Sequence, residues 1–436
     1  MLLVGVFLRA KIGIFQRFLL PSCLIGGVIG LIIINSRFLN ISSSTLETFT
    51  YHFFNISFIS VGLTREEYEN QQGSRGFKRL KGPAWMALVQ GITFPLQAVI
   101  GGLIILLLGY LGLEFFPTFG FLAPLGFNEG AGQALSIGKV WEEMGFQHGV
   151  TIGLTFAAIG FFFSFLIGIP LVNWGIRKGY STFAPKDLPR DFLIGIANKR
   201  QKKESAGGLT FFSANVDNMT FQAAMVGLVY MFTYFLVKAL GSFLPPEEAK
   251  IIWGFFFFFG LFVALIVKFI MNKIGIEYII DPGVQRRITG WSVDFLILSA
   301  IAGIQISVVW KFILPISLIS LLCGLGTVWV VFYLGRRLWS YNLERMAAIL
   351  GTVTGTVPCG LLLLRILDPD LKSPVVIELA VMNLFALPII GACTYIVNAP
   401  LLWNWGVGLT VIIFALIMLA SYILIRILGM LSKPKF

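Results

Sequence analysis

Residues 126–134 read GFNEGAGQA and residues 351–360 read GTVTGTVPCG, two polar islands in a very apolar chain. Each sets closely spaced glycines among small or amide-bearing residues: Gly126, Gly130 and Gly132 in the first, Gly351, Gly355 and Gly360 in the second. A hydrophobic segment long enough to cross a bilayer follows each. Glycine lets the backbone leave a helix, and the freed N–H and C=O groups are tolerated at membrane depth only where protein or a lined cavity meets them. The composition predicts a broken helix or re-entrant hairpin at each stretch, near 119–140 and 346–367. Paired breaks in corresponding places of two halves point to the binding site of a secondary transporter.

Outside these islands the chain is built for a bilayer. Of 436 residues, 57% are hydrophobic and 12% charged, with a mean hydropathy of +0.87, outside the range of ordinary soluble domains. Apolar runs of about 20 residues predict an all-α polytopic membrane protein with crossings near 18–35, 50–63, 84–111, 149–177, 219–242, 251–272, 291–309, 312–334, 374–397 and 402–429. Residues 1–8, MLLVGVFL, read as the end of one more span, a truncated first helix. A signal peptide is the poorer reading, because no charged region precedes the run and no small-residue cleavage site follows it. Cys23, Cys323, Cys359 and Cys393 lie in apolar segments without metal-type spacing, which implies packing rather than disulfides. With only His52 and His148 available, no histidine metal centre and no cofactor are expected.

The net charge of +12 is explained by topology rather than by nucleic acid. Lysines and arginines cluster at Arg9, Lys11 and Arg17, at 65–81, 177–203 and 268–287, at Arg336, Arg337 and Arg345, and in the tail at Arg426, Lys433 and Lys435. If the N-terminal stub counts as a crossing and neither glycine stretch does, every cluster falls on one side, which the positive-inside rule makes cytoplasmic. Re-entry at both stretches is what that parity requires. Five crossings then precede the basic linker 178–215 and five follow it, so the second half runs upside down. The expected architecture is two inverted five-helix repeats, 1–177 and 216–400, each with a hairpin between its fourth and fifth crossings. A cytoplasmic linker joins them, and an extra helix with a basic tail occupies 401–436. The linker's Lys/Arg run is read as a topology signal that contacts anionic lipid headgroups.

Five ordered landmarks carry a family resemblance: FLLPSCLIGGVIGLII (18–33), SFISVGLT (57–64), GFNEGAGQALSIGKVWEEMGF (126–146), FLILSAIAGIQISVVW (295–310) and GTVTGTVPCGLLLLRILDPDL (351–371). In order and spacing they resemble the bacterial sodium/glutamate symporter family. The resemblance implies a sodium-driven symporter of the inner membrane, with inverted repeats, paired hairpins, a homodimeric assembly in lipid and one moving transport domain per subunit. The centre departs from the family pattern. Glutamate carriers have a Gly-His-Gly-Thr-Gly pattern in the first hairpin, whereas Asn128 and Glu129 here precede Gly130, Ala131 and Gly132. In the second, Thr352, Thr354 and Thr356 replace a more glycine-rich run. The substrate stays open between glutamate and a related amino acid or dicarboxylate.

Such an anionic or zwitterionic solute must exchange its water for protein groups. Backbone N–H groups at half-helix N-termini favour negative charge, Thr352, Thr354 and Thr356 offer hydroxyl donors, and Arg365 has the fork to clamp a carboxylate. For an ammonium group or sodium, Asn128, Glu129 and Gln133 offer oxygens, and carbonyls of the Gly130, Gly132 and Gly355 regions complete the shell. Sodium is placed near Asn128, Glu129 and Thr354, because an ionisable residue at membrane depth is a functional candidate by default. Asn383, on a crossing helix, joins the set.

Plainer roles stand beside these. Glu129 is alternatively half of an ion pair with Lys139 or Arg365, and Arg365 a partner of Asp368 or Asp370. The threonines alternatively bond back to helix carbonyls, Asp294 reads as a helix cap, and Asn55 and Asn398 as glue between crossing helices. An integral membrane enzyme lacks its nucleophile, base and paired acids here. Within transport, the rival is a proton-coupled carrier of another organic anion with Glu129 as the relay.

Overall fold

The computed structural model describes every residue except 40, 65–76, 185–189, 198–204, 213, 370, 371 and 436, and leaves out the side chains of 77–79. Much of the basic cluster 65–81, the linker's Lys186, Lys199, Arg200, Lys202 and Lys203, and Asp370 therefore lie outside the described residues. The described chain is helical, with no strand among those residues. We label the main helices α1 (Leu2–Lys11), α2 (Ser22–Asn35), α3 (Ser43–Leu63), α4 (Phe77–Tyr110), α5 (Ala131–Glu143), α6 (Gly149–Arg177), α7 (Asn218–Gly241), α8 (Phe256–Ile274), α9 (Pro282–Ala302), α10 (Ile313–Gly335), α11 (Asn342–Thr354), α12 (Val357–Leu367), α13 (Val375–Ile396) and α14 (Val407–Ile427).

Among the described residues, seven of these are long and apolar enough to cross a bilayer: α4, α6, α7, α8, α10, α13 and α14. The chain is a multi-pass membrane protein. Helices α3 and α9 are more polar because each hides its polar face on the other. The Thr50 hydroxyl lies 2.9 Å from that of Ser299, and Ser60 Oγ donates to Gln285 Oε1 at 2.7 Å. Two expected boundaries move for reasons of capping. Ser42 Oγ accepts from Thr45 N at 3.2 Å and starts α3 at residue 43 instead of 50. Asp281 accepts from Val284 N at 2.7 Å with Pro282 next to it, so α9 begins well before the expected 291. The cap of this helix is Asp281. Asp294 lies in the helix interior and is exposed, which corrects its reading as a cap.

Side chains bury into two cores. The smaller joins Ile59 and Leu63 of α3, Val226 and Val229 of α7, Val263, Ala264 and Met271 of α8, and Ile288 of α9. The larger surrounds both glycine stretches with α4, α6 and α10 to α14. Several residues of the basic clusters are tied to neighbouring segments. Lys81 Nζ donates to Gly429 O at 2.8 Å and stacks on Trp339. Ser432 N and Lys435 N donate to Arg337 O and Arg336 O at 2.6 and 2.9 Å, while Lys268 Nζ reaches Thr64 O at 2.9 Å.

Arg345 departs from its expected place in a solvated basic cluster. It is 3% exposed and makes a two-pronged ion pair with Glu378 of α13, 7% exposed, at 2.6 Å for each prong. Gly82 of α4 leaves the room, since a Cβ there would lie 2.1 Å from Glu378 Cδ. Removing one partner strands the other charge. Arg345→Met is expected to lower stability by about 3–5 kcal/mol, and Arg345→Met with Glu378→Leu to recover most of it. Thermal unfolding of the purified variants checks this; equal losses in single and double variants would assign the effect to packing.

Candidate functional site

Both glycine stretches are breaks between helices. In the first, the chain runs helically through Phe119–Glu129, its last turn wide, and stops at Gly130, whose φ of 89° belongs to glycine; α5 then starts at Ala131. No side chain caps that start, so the first N–H groups of α5 point into the break. In the second, α11 ends at Thr354, Gly355 and Thr356 leave the helix, and α12 begins at Val357, again without a side-chain cap. Helices α11 and α12 fold back on each other through glycine: a Cβ on Gly351 would lie 2.6 Å from Gly360 Cα.

The breaks touch. A Cβ on Gly130 would sit 2.6 Å from Thr356 Cγ2 and 3.2 Å from Gly355 O. Gly160 of α6 is wedged between them, its virtual Cβ 2.5 Å from Thr354 O and 3.3 Å from Phe127 Cα. On the far side Gly132 packs flat on Phe54 of α3, 2.0 Å from ring to virtual Cβ. Glycine at these positions is thus what lets two irregular stretches and two crossing helices approach within one layer of atoms.

Neighbouring residues of the first break serve opposite walls. Asn128, 2% exposed, donates through Nδ2 to Thr93 Oγ1 of α4 at 3.0 Å. The partly buried Glu129 accepts through Oε1 from Thr394 Oγ1 of α13 at 2.6 Å. Among the described residues, Asn128 Oδ1, Glu129 Oε2 and both amide atoms of the fully buried Gln133 find no hydrogen-bond partner. The ion-pair alternative for Glu129 does not materialise, because Lys139 lies 3.7 Å from Glu47 instead and Arg365 is exposed. Thr352 Oγ1 donates to Ala348 O at 2.9 Å and Thr354 Oγ1 to Leu350 O at 2.7 Å. Their protons are committed to the helix, so these hydroxyls have only lone pairs to offer a ligand, which suits a cation or ammonium better than a carboxylate. Thr356 Oγ1, 3.5 Å from Cys359 Sγ, faces Gly130 with its methyl group.

Two candidates lie apart from this convergence. Arg365 is nine residues past Thr356, about 13 Å along α12, and exposed in its last turn. Asp368 is buried and spends its oxygens on the backbone N–H groups of Lys372 and Ser373, at 2.9 and 2.6 Å. Asn383 is exposed on α13, about three turns before Thr394.

Several polar residues at the breaks escaped sequence reading. Gln90, Thr93 and Gln97 lie on α4, all buried, and Gln97 Nε2 donates to Val353 O at 3.1 Å and to Thr327 Oγ1 of α10 at 2.9 Å. Asn398, which the sequence does offer as glue between helices, accepts from Trp141 Nε1 at 2.7 Å and donates to Thr394 O at 2.9 Å, holding α5 against the end of α13. The signal was present: three polar residues at helical spacing inside the apolar run 84–111. Further along α5, a cavity of about 570 Å³ opens between α3, α5 and Pro246–Gly254, with Glu47, Tyr51, His52, Ser136, Lys139 and Trp253 in its wall.

A family model described as sodium/glutamate symporter matches residues 1–344, which include the first break and stop short of the second. No curated protein and no solved structure matches.

Proposed function

The chain belongs to the sodium/glutamate symporter family, and from that premise we propose that it couples sodium entry to uptake of glutamate or a related amino acid or dicarboxylate by alternating access. The observation that carries this is the meeting of the two breaks: uncapped N-termini of α5 and α12 and the C-terminal end of α11 converge where buried oxygens lack partners. N-termini suit the carboxylates of the solute, and carbonyl ends with Asn128, Glu129 and the lone pair of Thr354 suit sodium. As a transporter family member it is not an enzyme.

We read both breaks as re-entrant hairpins in inverted repeats. Supporting this, α2 packs on α9 as α8 packs on α3, and α1 on α2 as α7 on α8, which are the pairs that exchanging halves relates. The basic clusters are then cytoplasmic, in the cell's inner membrane, and the cavity beside Lys139 is the outer vestibule. Apolar residues exposed on α7 and α8, such as Phe235, Phe262 and Phe269, face lipid or the second subunit of a homodimer.

Proteoliposomes with an inward sodium gradient are expected to accumulate labelled glutamate or a competing dicarboxylate, and to stop when sodium is replaced by potassium. Uptake that ignores sodium and follows an imposed pH gradient would replace this reading with proton-coupled transport.

A further inference from the structure

Three helix faces meet at the cavity of about 570 Å³ along α5. Each gives it two residues one turn apart: Glu47 and Tyr51 from α3, Leu135 and Lys139 from α5, Ala249 and Trp253 from the helix Pro246–Gly254. Its volume lies within the range of about 300–1,000 Å³ that small-molecule sites occupy. Much of the wall has little to offer a polar solute. Leu135 and Val140 are buried and apolar, and two hydroxyls have spent their protons, Tyr51 Oη on Trp253 O at 3.3 Å and Ser136 Oγ on Gly132 O at 2.8 Å. The charges differ. Lys139 Nζ and Glu47 Oε2 stand 3.7 Å apart between α5 and α3, too far for a hydrogen bond. A cation and an anion are thus held side by side next to apolar and aromatic walls. The Tyr51 bond ties α3 to the helix Pro246–Gly254, whereas α5 meets α3 here through the looser charge pair.

We propose that this cavity is a second solute site, apart from the contact of the breaks, that it takes a free α-amino acid with an aromatic side chain, and that its occupancy slows transport. Lys139 meets the carboxylate and Glu47 the ammonium, so that two charge-assisted hydrogen bonds replace one loose contact. The ring lies against Tyr51 and Trp253, a contact that a short polar side chain cannot make. A solute held in this way bridges α3 and α5. Because α5 starts at the first break, on Gly130, movement there must break the bridge or carry it along. Binding does not depend on the symport reading; the slowing of transport does.

The probe is L-tryptophan, with tryptamine, which lacks the carboxylate, and indole-3-propionate, which lacks the ammonium, as controls. Each is titrated against the thermal unfolding midpoint of the purified full-length protein in detergent, native and as Glu47→Gln, Lys139→Gln and Ala249→Phe. L-tryptophan is expected to raise the native midpoint while both controls leave it in place. The two charge variants should need at least about tenfold more for half the shift, and Ala249→Phe, which fills the cavity, should show none. In proteoliposomes L-tryptophan is expected to lower the maximal rate of labelled glutamate uptake without changing the glutamate concentration at half-rate. No shift of the native midpoint, an equal shift by either control, or native titration by all three variants would each overturn the site. A midpoint raised by added phosphatidylethanolamine and not by L-tryptophan would overturn it in favour of a lipid head group, and competitive inhibition would move the tryptophan to the breaks. Should Ala249→Phe fail to fold, the charge variants decide; where glutamate is not carried, the midpoints decide. Uptake indifferent to sodium would remove the symport reading and leave standing a tryptophan shift that Ala249→Phe abolishes.

Discussion

Glu129→Gln is expected to reduce ion-coupled uptake to the background of empty vesicles while leaving expression and membrane insertion unchanged and without lowering the thermal unfolding midpoint. The carboxyl group has a single protein partner, Thr394 Oγ1 at 2.6 Å, and its second oxygen has none among the described residues. The basic side chains weighed as its partners are elsewhere, Lys139 beside Glu47 and Arg365 exposed in the last turn of α12. A carboxylate at membrane depth costs about 2.5–3.5 kcal/mol on insertion scales, and among the described residues no ion pair offsets it. Exchanging one oxygen for NH₂ keeps the shape and the contact with Thr394 while removing the charge that a passing cation would meet. Folding should therefore tolerate the change and coupling should not. Measured uptake near the native rate would reduce Glu129 to part of the scaffold, and a parallel fall in the unfolding midpoint would assign its role to stability. Thr394→Val serves as the companion: it removes the carboxyl group's one partner among the described residues without touching the charge, so uptake should weaken without vanishing.

The positions of the breaks were legible because glycine is the residue that permits them, and the helices do end at Glu129 and Thr354. The polar walls around them were less so. Gln97 sits midway along an apolar run, and nothing in its neighbours says which way a single amide points; only Val353 O, 256 residues away, orients it. Arg345 follows Arg336 and Arg337 closely and was grouped with them, yet one turn of α11 carries it inside to Glu378, a partner 33 residues on. Arg365 shows the opposite failure. Its place after a glycine-rich stretch suggested a carboxylate clamp, but helical rise carries it away from the break and helical phase turns it outward. Residues constrained by their own backbone can be read from the chain, whereas those constrained by distant partners await the fold.

Gly130→Val tests the meeting of the breaks directly, and uptake by this variant is expected to fall to background even though the protein reaches the membrane. Two separate penalties act. At φ 89° and ψ −175° the backbone sits in a region essentially reserved for glycine, which costs another residue about 1–3 kcal/mol. The new Cβ would also lie 2.6 Å from Thr356 Cγ2, so either Gly130 or Thr356 must move. Gly355 differs in kind: its φ is negative, and its virtual Cβ meets Cys359 Sγ at 3.0 Å and Gly351 O at 3.1 Å. Gly355→Val is therefore expected to lose transport by crowding, while Gly355→Ala keeps a measurable part of it and Gly130→Ala does not. Thr356→Ala and Thr356→Ser both remove the offending methyl group, and Thr356→Ser keeps the hydroxyl. Partial recovery of uptake in Gly130→Ala with Thr356→Ser would separate the contact between breaks from the backbone term, as a double-mutant cycle is designed to do. Native uptake by Gly130→Val would mean that the two irregular stretches do not have to touch for solute to cross, and the mechanism built on their contact would fail with it.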